Sequence, residues 1–342
     1  SGRIKAASHL WRIKRQSIPN KLYALATNYR MNAPAVDKSG NGISSNAKSA
    51  RFATAKSVQV YEEASETIEA TMAAVLDFFH TAFLCDEELL GGAAEGDGMT
   101  GCQFIDVGCG PGTFTLKQLL PRLPSRCQLL VAVDNSEAML EFARENRAHP
   151  RIEYRALDLA SVDDTSDFVR EYGRFQRVYS FLAIHWTADQ RQAMQNIETL
   201  MAPGAECFVV FSDNIVLFDI FKAMVASPRW TKFAEVLKAY IPETTEMKHV
   251  TALRSHLISL VSATKLTPLA CEVIRTKLIM KLNKQTSLDF FTLLNPVYPL
   301  LGEAEKAELK TFTIDFLTKH KGSGDPYKEQ TMLVIHACKS VS

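Results

Sequence analysis

The sequence predicts an α/β fold, a mostly parallel sheet with helices on both faces, and three observations predict it. Between residues 103 and 212 short apolar runs alternate with amphipathic helical patterns. A glycine-rich turn follows directly on the first of those runs. Two further strand-like runs close the chain, near 270–278 and 331–338. Strictly alternating strands and helices imply crossover connections, and therefore parallel pairing.

The elements are taken in order. A helix is expected over 57–84, where Val60, Ile68, Met72, Val75, Leu76 and Phe79 recur at helical spacing. Residues 87–100 read as a loop with two glycine-rich patches. Then come strand 103–107, helix 113–120, strand 128–133, helix 136–146, strand 151–156, helix 164–171, strand 176–182, helix 188–201 and strand 206–212. Ser136 is placed to cap its helix, and Pro203-Gly204 marks the turn before the fifth strand. Residues 215–262 read as mostly helical and carry large apolar side chains, among them Phe218, Phe221, Met224, Trp230, Phe233 and Tyr240. Between the two closing strands, helices are expected at 287–294 and 303–319, with Asn295-Pro296 as the turn between them. The closing strands complete a seven-stranded sheet as an antiparallel pair.

With 342 residues and 46% apolar side chains, the chain can bury one large core. Net charge is +1, but it is unevenly spread: residues 1–60 hold eleven basic side chains and one acidic side chain, Asp37. The remainder is acidic, which argues against a nucleic-acid substrate. Residues 1–50 read as a basic, disordered leader whose arginine-rich, acid-poor composition also suits an organelle transit peptide. The body is expected over 51–342. Seven cysteines at irregular spacing, with no C-x-x-C, suggest reduced thiols and no zinc site, and no metal is expected. No apolar run reaches membrane-spanning length. The cytoplasm is the expected location, or the mitochondrion if the leader is a transit peptide. The sequence gives no expectation of oligomeric state.

The turn is Asp106-Val107-Gly108-Cys109-Gly110-Pro111-Gly112-Thr113, a G-x-G-x-G pattern opened by an acid. Glycine lets a ligand approach the backbone, and the following helix offers free N–H groups. Asp134 ends the next strand, 28 residues after Asp106, where a carboxylate can accept ribose hydroxyls. Asn135 adjoins it. Asp158 and Leu159 follow the third strand, suited to an adenine amino group and ring. Ser180 lies in the fourth strand at the crevice. Acid, glycine turn, ribose acid and adenine acid in this order resemble the class I S-adenosylmethionine-dependent methyltransferases, with their Rossmann-like fold. The resemblance implies S-adenosylmethionine as cofactor, held by Asp106, Gly108, Gly110, Gly112, Asp134, Asn135, Asp158, Leu159 and Ser180.

Methyl transfer from a sulfonium mainly requires alignment of nucleophile, methyl and sulfur. A carboxylate nucleophile is ionised at neutral pH and needs neutral donors to aim it, not a base. Trp186, just past the fourth strand, offers a donor-only indole N–H, although its residue type alone suits packing as well. His185 reads as a structural histidine or, if the acceptor is a hydroxyl or amine, as a base. The segment Ser180-Phe181 through Ile184-His185-Trp186 to Asp189-Gln190-Arg191, then Phe218-Asp219, Ser227-Pro228-Arg229-Trp230 and Asn295-Pro296, resembles the juvenile hormone acid O-methyltransferases. That resemblance implies that Gln59, in Ser57-Val58-Gln59, and Trp186 hold the carboxylate of a small apolar acid of the farnesoic or juvenile-hormone-like kind. It also implies that 215–262 form a substrate lid. The chain departs from the family at Leu182-Ala183, at Glu243-Thr244-Thr245-Glu246 and in its basic leader. A protein that binds cofactor or lipid acid without turnover is the remaining alternative.

Overall fold

The computed structural model describes residues 54–83, 102–279, 284–319 and 327–341, so the leader 1–50 and the loop 87–100 lie outside the described residues. Seven strands form one sheet: β1 (Cys102–Val107), β2 (Cys127–Asp134), β3 (Ile152–Ala156), β4 (Phe175–Phe181), β5 (Met201–Ser212), β6 (Thr267–Ile279) and β7 (Tyr327–Cys338). Their order is β3-β2-β1-β4-β5-β7-β6. Pairing is parallel from β3 through β5, and β7 inserts antiparallel between β5 and β6. The strand order reverses between β1 and β4. In open α/β sheets, the crevice at that reversal, outside the carboxyl ends of the strands, is where ligands bind.

Period-2 alternation sends neighbouring strand residues to opposite cores. On one face Ile105, Val131, Val178 and Val209 pack with α3 (Val162–Tyr172), α4 (Gln190–Leu200) and α7 (Val250–Ser262). On the other, Phe104, Leu130, Tyr179 and Phe208 pack against α1 (Ala55–Phe79). Helix α1 buries Met72, Val75, Leu76 and Phe79 at i, i+3, i+4 and i+7. Its start is fixed by a capping box: the Thr54 side chain accepts from the Ser57 N–H, and the Ser57 hydroxyl accepts from the Thr54 N–H. The short α2 (Glu137–Asn146) caps on Ser136, as expected, and covers Ala132 and Tyr154.

Three differences from the sequence reading have physical causes. The helix after the turn is wound as a π-helix over Thr115–Leu119, with Pro121 ending it, and Thr115 donates its hydroxyl to Asp106. β5 starts at Met201, not 206: a register shift against β4 and Gly204 at φ +76° carry the strand through Pro203-Gly204. The segment 215–262 is not one lid. Leu253, Leu257, Leu260 and Val261 of α7 belong to the sheet core. The apolar cap is built instead from α5 (Val216–Val225) and α6 (Ala234–Lys238) with α8 (Lys284–Leu293) and α9 (Glu303–Lys319). Phe218, Phe221, Trp230, Phe291 and Phe316 fill it.

One buried polar cluster crosses three strands. Glu206 of β5, fully buried, lies 3.3 Å from the Arg177 guanidinium of β4 and 2.9 Å from His336 Nε2 of β7. The guanidinium also lies over the rings of Phe83 and Phe104. Removing one partner of a buried pair strands the other charge. Glu206→Ala is therefore expected to lower the unfolding free energy by about 3–5 kcal/mol, read from urea denaturation.

Candidate active site

The glycine turn stands at the carboxyl end of β1, and its three glycines take φ values of +79°, +53° and +77° at 108, 110 and 112. Two of these positions also exclude a side chain by space. A Cβ on Gly108 would overlap that of Ala183, and one on Gly112 would lie 2.7 Å from the Tyr154 hydroxyl oxygen. The turn is tied to β2: Gly108 and Cys109 donate N–H to the Val133 carbonyl at 2.7 and 2.9 Å. Asp134 accepts from the Gly110 N–H at 3.0 Å and the Ser136 N–H at 2.9 Å. The Asn135 N–H also donates to it, and a carboxylate has about four lone-pair sites, so Asp134 keeps acceptor capacity at the crevice.

A narrow cleft opens beside the turn. Asp106, Gly108, Gly110, Phe181 and Leu182 line it from the sheet side, and Tyr61, Ser65 and Glu69 line it from α1. The fit to an S-adenosylmethionine cofactor rests on Asp106. It is 2% exposed and lines the cleft, and Thr115 Oγ1 donates to one of its oxygens at 2.6 Å. Among the described residues no hydrogen bond reaches the other oxygen. A buried carboxylate with a spare oxygen suits a cationic partner. Leu182 holds φ +56°, the one described non-glycine residue at positive φ, so the backbone at this rim is strained.

Other expected residues fall less directly on the cleft. Asn135 is exposed beside Asp134. Asp158 is partly exposed and accepts from the Ala160 N–H at 3.0 Å. The Leu159 side chain is 9% exposed and packs into the sheet core. Ser180 is fully buried, its hydroxyl donating to the Val107 carbonyl, so it ties β4 to β1 while Phe181 and Leu182 border the cleft. Trp186 lies on a single turn after β4, partly buried, with its ring 5.5 Å from Phe218 of the cap. His185 is 4% exposed, and its Nδ1 accepts from the Ser212 N–H at 3.5 Å.

Gln59 is not brought to the cleft. It is exposed and donates its amide to Glu63 Oε1 at 3.3 Å. At 3.6 residues per turn, Gln59 sits about 160° around α1 from Tyr61. Besides Ile68 and Met72, the residues of α1 that line the cleft are Tyr61, Ser65 and Glu69, which the sequence reading missed. Their i, i+4, i+8 spacing beside the apolar Ile68 and Met72 was the available signal.

Burial raises the carboxyl of Asp106 to about 7, against the hydrogen bond from Thr115, with Asp134 adding to the rise. Burial also raises Asp134, opposed by N–H donation from Ser136, Gly110 and Asn135. Burial raises the Tyr61 phenol, with Asp134, Glu69 and Glu62 adding to it, so Tyr61 is a neutral donor. Among the described residues no group of His, Cys, Asp and Glu side chains is arranged to hold a metal.

A family model described as a methyltransferase domain matches residues 99–259. The chain is 31% identical to juvenile hormone acid O-methyltransferase of Bombyx mori, over 41% of this chain and 49% of that protein. Identity to the Drosophila melanogaster protein of the same name is 28%, over 40% and 46% respectively. Trans-aconitate 2-methyltransferase of Variovorax paradoxus is 31% identical over 33% of this chain and 39% of its own length. The chain thus spans about half the length, or less, of the curated relatives it matches. A solved SAM-dependent methyltransferase from Anabaena variabilis aligns with 90% of this chain and all of its own, at 13% identity and a TM-score of 0.48. The raised acid of the turn can be tested without ligand. Folded Asp106 keeps its proton up to about pH 7, whereas an unfolded aspartate loses it near pH 4. Stability should therefore fall as pH rises between those values. Urea titrations are expected to show Asp106→Asn flattening that slope. Residues 99–259 thus match a methyltransferase domain and carry the sheet order and acid-opened glycine turn of a nucleoside-binding α/β crevice, in a chain similar over part of its length to the juvenile hormone acid O-methyltransferases.

Proposed function

We propose that the chain is a carboxyl O-methyltransferase, converting an apolar small acid of the farnesoic or juvenile-hormone-like kind to its methyl ester. The observation that carries this reading is the place of Trp186. It follows the carboxyl end of β4, and its ring faces Phe218 in the apolar cap. A side chain with a neutral N–H donor thus stands between the carboxyl edge of the sheet and a cluster of apolar side chains, surroundings suited to an acid with a hydrocarbon tail. The acid is supported by the relatives, whose names include juvenile hormone acid and trans-aconitate.

The cofactor supplies an activated methyl group whose departure needs no acid. The work left to this chain is binding, aiming and drying. Asp106 and the glycine turn take the amino-acid end, Asp134 the ribose, and Asp158 the adenine. Trp186 orients one carboxylate oxygen. The cap of α5, α6, α8 and α9 serves as the substrate lid and excludes water. The position of Gln59 does not support its expected role as second donor. No base is required, and His185 offers little as one: with Nδ1 accepting from Ser212, a neutral ring carries its proton on Nε2. No helix among the described residues is long and apolar enough to cross a membrane. We place the enzyme in the cytoplasm. A fluorescent full chain, compared with one starting at Met31, separates this from mitochondrial import.

Incubation with methyl-labelled cofactor and a panel of isoprenoid and fatty acids should yield label released by mild base, as a methyl ester requires. Binding of cofactor with no transfer to any acid would sink the reading in favour of a non-catalytic protein. At saturating cofactor and acid, kcat should show no step between about pH 6 and 8, where a histidine base would produce one. Trp186→Phe keeps the ring but loses the donor. It should lower kcat/KM by roughly 10- to 100-fold and leave affinity for S-adenosylhomocysteine unchanged.

A further inference from the structure

The two halves of the glycine turn are held in different ways. Gly108, Cys109 and Gly110 are bonded to β2, at Val133 and Asp134, so the sheet fixes them. At Thr113, just past Gly112, the hold comes from side chains of α1 and of the residue after α2. The Thr113 hydroxyl lies 2.6 and 2.7 Å from the two carboxylate oxygens of Glu62 on α1. Arg147, just past α2, donates Nε to Thr113 Oγ1 at 2.9 Å and Nη2 to Glu62 at 2.5 Å. Tyr154 of β3 donates its hydroxyl to the Arg147 carbonyl at 3.0 Å, and that same hydroxyl is the atom that bars a side chain at Gly112. Glu62, Thr113, Arg147 and Tyr154 therefore surround the far end of the turn.

These residues come from four separate parts of the chain, and the Glu62 and Arg147 side chains are each 19% exposed. A charge-assisted network at that depth is less screened than a surface ion pair. Glycine-rich backbone is costly to order, because each glycine has more conformations to lose. Residues next to Glu62 on α1, Tyr61 and Ser65, line the cofactor cleft. What holds Glu62 to Thr113 therefore also holds that stretch of α1 against the cleft.

We propose that Glu62 is a positioning residue for the cofactor: through Thr113 and Arg147 it locks the far end of the glycine turn and clamps α1 over the cleft, setting how long the cofactor stays bound. The proposal rests on the methyltransferase reading of the site. Glu62 touches the turn and not the reacting atoms, so its effect is on retention.

The test is the dissociation rate of S-adenosylhomocysteine from the full chain, by stopped-flow displacement, alongside Tm. Glu62→Gln and Thr113→Val should each speed release roughly tenfold, the scale of one lost charge-assisted hydrogen bond. The double variant should be little faster than either single one, since both break one network. Thr113→Ser keeps the hydroxyl and should release at the wild-type rate. Glu137→Gln, which breaks the exposed ion pair with Arg144, should also leave release unchanged. If Glu62→Gln fails to fold, the nearly isosteric Thr113→Val carries the test with Thr113→Ser as its rescue. A lower Tm with unchanged release in Glu62→Gln or Thr113→Val would overturn the proposal and leave a merely structural bridge. Wild-type protein that binds no S-adenosylhomocysteine would overturn the methyltransferase reading, and this inference with it.

Discussion

The site depends on one carboxylate holding one backbone turn. Asp134 spends a hydrogen bond on the Gly110 N–H and another on the Ser136 N–H. The first pins the middle of the glycine turn; the second lies at the cap of α2. A single side chain at the end of β2 thus sets the geometry of both neighbouring βα connections. The three positive φ angles of the turn are accessible because the residues are glycine, but access is not order. Order comes from the carboxylate, from the Val133 carbonyl, and from the side chains gathered around Gly112. Asp134, expected from its place in the sequence to face a ribose, is in this fold a structural strut, a role that follows from its position at the strand's carboxyl end.

The neighbouring acids illustrate how burial divides labour. Asp106 sits at the base of the cleft with one oxygen bonded to Thr115, and desolvation raises its carboxyl to about 7. Asp134 is also desolvated, but three backbone N–H groups pull against the rise. The protein therefore invests its hydrogen bonds in the acid that shapes the turn. It leaves Asp106 as the group whose charge state depends most on what enters the cleft. Tyr61, kept neutral by burial among acids, closes the opposite wall.

The parallel part of the sheet was legible because each of its strands is a short apolar run bounded by turn residues, and pattern alone locates such runs. The glycine turn was legible because its residue types have few other uses in that setting. Direction was harder to read than location. Ser180 and Leu159 lie near the carboxyl ends where expected, but alternation and packing turn their side chains into the core. Gln59 lies on the expected helix but on its far side, and only a firm boundary and phase for α1 would have revealed that. The cap was misjudged for a related reason: α7 and α5 are both apolar helices, and composition does not say which packs on the sheet. The Arg177–Glu206–His336 cluster was invisible, since its members are far apart in sequence and meet only through strand register.

The cap is interleaved with the sheet. Its first pair of helices precedes α7 and β6, its second pair follows β6, and β7, late in the chain, must then slot between β5 and β6. Contacts of such long sequence separation slow folding, because long loops must close before the contacts are gained. The parallel half of the sheet, complete by the end of β5, needs no strand from later in the chain to pair its members. The apolar cap thus takes its last helix from residues 303–319, whereas every residue lining the cleft beside the glycine turn lies before residue 183.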